Sequence, residues 1–224
     1  MSETMMKGVL EPSYKKRVGY QAMLVGGFSI IAAATLSIGD TVTRPLIAAN
    51  EAADLTAMLG QVIPPTLHDN DLLEDTVDVR ADDGTLRTVY RARLNGDITA
   101  LAFRAQAPGY AENIRLIMGV DRQGEVLGVR VLQHAETPGL GDKIETAKSD
   151  WIFSFNGKSL TNLSEPQWAV KKDGGVFDQF TGATITPRRT VQAVYEGLGF
   201  FRDHRGVILS GYPIGEEAAQ EATQ

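Results

Sequence analysis

The hydrophobic pattern opens with 22 uncharged residues, Val18 to Gly39, close to the roughly 20 that a helix needs to cross a bilayer core. No polar stripe marks a solvent face along this run, so it predicts one spanning helix rather than a helix buried in a soluble domain. A cleaved secretory signal is the alternative, with Ala32-Ala33-Ala34 as its small-residue site. Against it, the leading segment is long and the apolar run continues to Leu36 and Ile38. A new helix is expected to start at Thr43-Arg44-Pro45 and to carry Leu46, Ile47, Leu55, Met58 and Leu59 on one side until Gly60 and Pro64-Pro65 stop it. From Thr76 onward the period changes to two. Alternating segments at Thr76–Arg80, Leu86–Leu94, 98–104, 114–120 and 125–133 are separated by Asp83-Gly84, Asn95-Gly96 and Gln123-Gly124, and Asn-Gly is the strongest short hairpin signal. Helical spacing returns from Gly141 to Ile152, and again from Pro187 to about Arg202, where Val191, Val194, Tyr195, Leu198 and Phe201 share a face.

Consecutive hairpins imply an antiparallel meander whose apolar face needs helices against it. The expected fold is therefore α+β, without the βαβ alternation of a dinucleotide-binding sheet: one N-terminal transmembrane helix, then a single periplasmic domain with an antiparallel sheet packed by helices. Residues 1–17 form a cytoplasmic N-terminus, 18–39 the span, 40–70 a stalk helix and linker, 71–214 the domain and 215–224 an acidic tail. The orientation follows from Lys7, Lys15, Lys16 and Arg17 before the span, against only Glu3 and Glu11.

Composition removes several kinds of chemistry. The chain contains no cysteine, which rules out thiol catalysis, disulfides and cysteine-ligated zinc or iron–sulfur clusters within it. Its net charge is −6 and no basic stripe interrupts the sequence, so nucleic acid is not an expected partner. His68, His134 and His204 show no ligand spacing, and no metal site is expected. No Walker loop, HExxH or GxSxG occurs, and Gly139-Leu140-Gly141 lacks the third glycine of a dinucleotide fingerprint.

The chemistry that remains is concentrated in Asp178-Gln179-Phe180-Thr181-Gly182-Ala183-Thr184, just ahead of Pro187 and the closing helix. A helix N-terminus offers unpaired N–H groups and the positive end of the macrodipole, so a phosphate is stabilised there. Gly182 and Ala183 add no bulk beside the Thr184 hydroxyl. The alternative is an ordinary loop, with Thr186 capping the helix and Pro187 at its first position. This stretch resembles the flavinylation motif of the FMN-binding domain family, written Asp-x-x-Ser/Thr-Gly-Ala-Thr. In that family a flavin transferase joins FMN through its phosphate to the last threonine, here Thr184. A second signature, His134-Ala135-Glu136-Thr137-Pro138-Gly139-Leu140-Gly141, and the approach Val170-Lys171-Lys172-Asp173-Gly174-Gly175 match as well. With the membrane segment they cover most of the chain, which resembles the G subunits of the Rnf-type (Rsx) ion-translocating electron transport complex. The C subunit of the sodium-translocating NADH:quinone reductase shares both motifs. The short chain and the Gly141-Asp142-Lys143-Ile144-Glu145 continuation favour the former.

The resemblance implies a membrane-anchored electron-transfer subunit of the bacterial inner membrane, with FMN held covalently by a phosphoester to Thr184. Its partners would be the other subunits of the Rnf-type complex and, during maturation, the flavin transferase. No complete active site is expected in this chain alone; ferredoxin, NAD and the ion pathway belong to those subunits. Asp178, Thr181, Gly182, Ala183 and Thr186 would frame the attachment, while Glu136, Thr137, Gly139 and Leu140 would border the ring or the ribityl chain. Lys143 would oppose the phosphate or the reduced flavin's charge, or be a solvated lysine. Arg188 and Arg189 would either attend an anion at the helix start or be exposed there at small cost. Trp151, Phe153, Trp168, Phe177 and Phe180 are aromatics for stacking or for the core. A competing reading is a membrane-tethered flavin sensor or assembly module that carries no electron flow.

Overall fold

The computed structural model describes residues 18–210; the expected cytoplasmic segment and acidic tail lie outside the described residues. Helix α1 spans Val18–Val62 and passes through Pro45 without a break, so the second start expected at residues 43–45 does not occur. Proline removes one backbone N–H and crowds the preceding turn, at about 3 kcal/mol. Alanines and other helix formers continue past it, and the hydroxyls of Thr41 and Thr43 donate to carbonyls four residues back at 2.8 and 2.6 Å. Nor does Gly60 end the helix, which stops two residues ahead of Pro64.

The chain divides into two compact units between Ala53 and Asp54. In the first, Met23, Val25, Phe28, Ile30, Ile31, Leu36 and Ile38 are all exposed. Among the described residues α1 is the one helix long and apolar enough to cross a membrane.

The second unit is built on a five-stranded antiparallel meander in the order β1-β2-β3-β4-β5: Thr76–Arg80, Leu86–Leu94, Asp97–Pro108, Asn113–Asp121 and Val126–Gln133. Asn95 and Gly96, both at positive φ (55° and 89°), close the β2–β3 hairpin with Leu94 opposite Asp97. This is the geometry that Asn-Gly favours in a two-residue turn. β3 and β4 run past their expected spans, β3 to Pro108 with its burial alternation continuing, and β5 begins one residue later than expected.

Both faces of this sheet are covered. On one, Leu55, Met58, Leu59 and Val62, the apolar stripe of the last turns of α1, pack with Tyr90, Ala92, Ala100, Ala102 and Ile117. On the other, helix α2 (Ile185–Ser210) lays Val191, Val194, Leu198 and Phe201 over Phe103, Leu116, Met118 and Val129. Glycines set both approaches. A Cβ on Gly119 would stand 2.2 Å from the Val62 carbonyl oxygen, and one on Gly197 would stand 2.5 Å from the Met118 sulfur.

Between β5 and α2 the chain forms short 3-10 helices at Asp142–Ile144, Asp150–Phe155, Glu165–Gln167 and Lys171–Asp173. The helix expected over residues 141–152 is thus broken in two. Glu145 adopts an extended conformation (φ −77°, ψ 139°), and Ser149, also extended, receives the Trp151 N–H on its hydroxyl at 3.1 Å. Serine competing for a local backbone donor starts a new turn instead of continuing an old one.

The two glycine contacts predict different outcomes for the same substitution. Gly119→Ala should destabilise the domain by about 1–3 kcal/mol, the usual cost of overpacking against an unyielding neighbour. Gly197→Ala should be near neutral, because the methionine can swing away and alanine gains about 1 kcal/mol of helix propensity over glycine. Thermal unfolding of the two variants, followed by circular dichroism, makes the comparison.

Candidate functional site

The site begins with two tight turns. Thr137-Pro138-Gly139-Leu140 is closed by the Leu140 N–H on the Thr137 carbonyl at 3.1 Å, and the Gly141 N–H reaches the same oxygen at 3.0 Å. Phe180-Thr181-Gly182-Ala183 is closed in the same way at 3.2 Å. Each has glycine in its third position, Gly139 at φ 78° and Gly182 at φ 84°, where a type II turn requires positive φ. The turns meet. A Cβ on Gly182 would lie 3.4 Å from a methyl carbon of Leu140.

Helix α2 follows the second turn at once. Its first residue is Ile185, and the Thr184 carbonyl receives the Arg188 N–H at 3.4 Å. Thr184 therefore stands at the helix cap, two residues earlier than the expected cap at Thr186. Thr186 lies inside the first turn, 1% exposed, and its hydroxyl donates to Glu136 Oε2. Pro187 is the third helical residue and has no N–H, so the free donors of this helix end come from the residues beside Thr184.

Glu136 ties these parts together. Its other oxygen accepts the Tyr110 N–H at 2.8 Å, so both oxygens of the buried carboxylate are hydrogen-bonded within the protein. The socket around it is built from glycine: a Cβ on Gly109 would fall 2.3 Å from Glu136 Oε1, and one on Gly141 would fall 2.8 Å from the Thr186 hydroxyl. His134 holds the loop from behind. Its Nδ1 accepts the Glu136 N–H at 3.1 Å, so Nε2 carries the proton and donates to Glu145 at 2.7 Å.

The result is an open cleft of about 250 Å³, whose lining includes Tyr110, Thr137, Leu140, Gly182, Thr184 and Ile185. Ala183, Glu136, Gly141 and Thr186 complete it. Seven of the eleven expected site residues thus come together. Gly139 shapes its turn without lining the cleft. Asp178 and Thr181 are exposed and outside it; the Asp178 carboxylate pairs with Lys171 Nζ at 2.6 Å, and its carbonyl receives the Trp151 indole N–H at 2.8 Å. Lys143 lies on the first 3-10 helix, outside the lining. The arginines at the start of α2 are also engaged elsewhere. Arg188 binds Asp173 through two hydrogen bonds, at 2.5 and 2.6 Å, and Arg189 reaches Gln192 at 2.8 Å. The Arg188 hydrogen bond holds the Asp173 carboxyl below its ordinary range and raises the guanidinium in turn.

The aromatic candidates belong mainly to the core. Trp151, Phe155, Phe177 and Trp168 form a run of ring contacts, and Trp151 meets Phe180 edge-on at 5.0 Å. None lines the cleft. Sequence reading missed Tyr110, Gly109 and Ile185, of which Tyr110 is 71% and Ile185 43% exposed. A lone Gly-Tyr between two strands carries no signal of its own; its partner is a carboxylate 26 residues away.

Chemically, the cleft sets the Thr184 hydroxyl at a helix N-terminus beside exposed apolar surface on Leu140, Ile185 and Tyr110, with its single charged residue, Glu136, hydrogen-bonded on both oxygens. It suits an amphipathic ligand with an anionic end. The FMN-binding domain family matches residues 109–199, which contain the whole cleft. The G subunit of the ion-translocating oxidoreductase complex of Cereibacter sphaeroides is 49% identical over 195 residues, 85% of this chain and 87% of the relative. That of Stutzerimonas stutzeri is 47% identical over 193 residues, 86% of this chain and 84% of the relative. Among solved structures, NqrC of Shewanella oneidensis overlaps with a TM-score of 0.43 at 21% identity, covering 62% of this chain and 70% of that one.

If Glu136 and Thr186 act as one unit, their effects on stability must not add. Glu136→Ala and Thr186→Val should each cost about 1–3 kcal/mol, as expected when a buried hydrogen bond loses a partner. The double variant should fall short of their sum by about 0.5 kcal/mol or more. Denaturant unfolding of the four proteins supplies the cycle.

Proposed function

Because the chain belongs to the family of ion-translocating oxidoreductase complex G subunits, we propose that it is the flavin-carrying electron-transfer subunit of such a complex, with FMN ester-linked through its phosphate to Thr184. The observation that carries this reading is the junction of the two motifs: Thr184 at the helix cap and the Leu140 turn line one cleft. The FMN-binding domain match over residues 109–199 supports the cofactor.

When bound, FMN supplies one- and two-electron redox chemistry that no side chain of this cysteine-free protein offers. The chain's own contribution is to hold and to shield. The Thr184 oxygen is the attachment atom, and the N–H groups that open α2, with the helix dipole behind them, offset the charge of a phosphodiester there. Leu140, Ile185 and the Tyr110 ring present apolar surface to a flat aromatic system. Glu136 positions the Tyr110 backbone and the start of α2. The cleft is smaller than the ~300–1,000 Å³ of pockets that enclose small molecules, so a tethered ring stays accessible to an electron partner. A sensor that carries no electron flow would need no such exposure. The other subunits of the complex supply the remaining electron carriers and the ion pathway, and a flavin transferase installs the ester.

The apolar stretch of α1 supports attachment to a membrane, and the basic residues ahead of it support an N-in orientation with the flavin domain on the periplasmic side of a bacterial inner membrane.

Two measurements test this reading. Intact mass of the purified chain should show an increment of FMN less water on the peptide containing Thr184. Thr184→Ala should lose it with the fold intact, and Thr184→Ser should keep part. Normal covalent FMN in the alanine variant would overturn the assignment. For topology, alkaline phosphatase fused after Gln224 should be active in cells, whereas a green fluorescent reporter there should stay dark; the reverse pattern places the domain in the cytoplasm.

A further inference from the structure

On the sheet face that receives the last turns of α1, the helix covers only part of the surface. Ala102 of β3 and Ile117 of β4 lie beneath it. Two residues further along each strand, on the same face by alternation, stand Arg104 and Arg115. Arg104 is paired in register with Ile117, and Arg115 with Gln106, so the two guanidinium groups are diagonal neighbours on adjacent strands. They line a groove of about 330 Å³ with Gln106, Thr88, Leu86 and, at its rim, Arg87.

The charges in this groove are not balanced from within. Arg104 forms no hydrogen bond or ion pair among the described residues, and the partner of Arg115 is an uncharged amide, Gln133, at 3.1 Å. Arg87 is shared between Asp83 at 3.3 Å and the Phe200 ring. The carboxylate across from Thr88, Asp78, takes that residue's hydroxyl at 2.7 Å. Leu86, on the same face, is 58% exposed. This positive, partly apolar groove lies on a chain whose net charge is −6.

We propose that this groove docks a carboxylate-bearing surface of another protein subunit of the complex. The proposal rests on the reading of this chain as such a subunit. The side-chain chemistry favours a protein partner over an anionic membrane. Arginine forks match carboxylates in pairs and are enriched at protein interfaces, where lysine is depleted. The groove carries arginine without lysine, together with hydrogen-bonding Thr88 and Gln106 and the apolar Leu86. Its residues are separate from those lining the Thr184 cleft, so docking and flavin attachment can be disturbed independently.

The test uses the full chain produced with the rest of its complex and solubilised from membranes. The double variant Arg104→Glu/Arg115→Glu should retain covalent FMN by intact mass and should lose co-purification with the other subunits at least tenfold. Arg104→Gln/Arg115→Gln should lose less, and recovery of the parent complex should fall as salt is raised. Circular dichroism of each variant checks the fold; if the reversed pair unfolds, the glutamine pair decides by the same co-purification measure. Co-purification at the parent level in a folded variant overturns the proposal. So does an intact complex whose variant chain has lost only binding to vesicles of anionic lipid, and so does loss only of self-association of this chain. Failure of the flavin reading is separate, since it appears as absence of FMN from the parent chain itself.

Discussion

One buried carboxylate sets the position of everything in the cleft. Glu136 receives a backbone N–H from the β3–β4 connection on one oxygen and the Thr186 hydroxyl on the other. A charge taken out of water is tolerated only when its lone pairs are filled, so the loop that carries Glu136 can close in one way. Gly109 and Gly141 are part of the same constraint, because a side chain at either would occupy the space the carboxylate needs. The start of α2 is thereby held to a loop 50 residues earlier in sequence, and the two turns face each other as a result.

The strands were readable because hairpin chemistry is local. Asn95-Gly96 and Gln123-Gly124 announce their turns, and the alternation between them gives the sheet its register. The junction of the two motifs was readable only through resemblance, since the Glu136 to Thr186 bond is long-range and neither residue is unusual where it stands. The helical spacing over residues 141–152 misled partly for the same reason: the His134 to Glu145 contact joins residues 11 apart, and the local Ser149 turn adds to it in overriding the helical preference. At the start of α2, Thr186-Pro187 looks like a cap followed by a first position. A tertiary bond draws the threonine inward, and the cap moves to Thr184.

Charge near the cleft follows a similar logic. Arginines in a first helical turn oppose the macrodipole, and an anion beside them would relieve that cost. Arg188 finds its anion in Asp173, within its own unit. Lys171 likewise finds Asp178. These pairs brace the 3-10 segment and the motif loop against the helix, leaving the cleft without a cationic side chain in its lining.

That lack of a cation and the small volume of the cleft bear on affinity. A shallow site with three exposed apolar residues and no free cation would hold a flavin weakly from solution. The ester proposed at Thr184 would change the problem from affinity to effective concentration: the ring could not diffuse away, and its local concentration against Leu140 and Tyr110 would be set by the length of the ribityl chain. With contact guaranteed by such a tether, the walls of the cleft would not need to enclose the ring. Exposure of the redox centre would then come without the dissociation that would ordinarily accompany it.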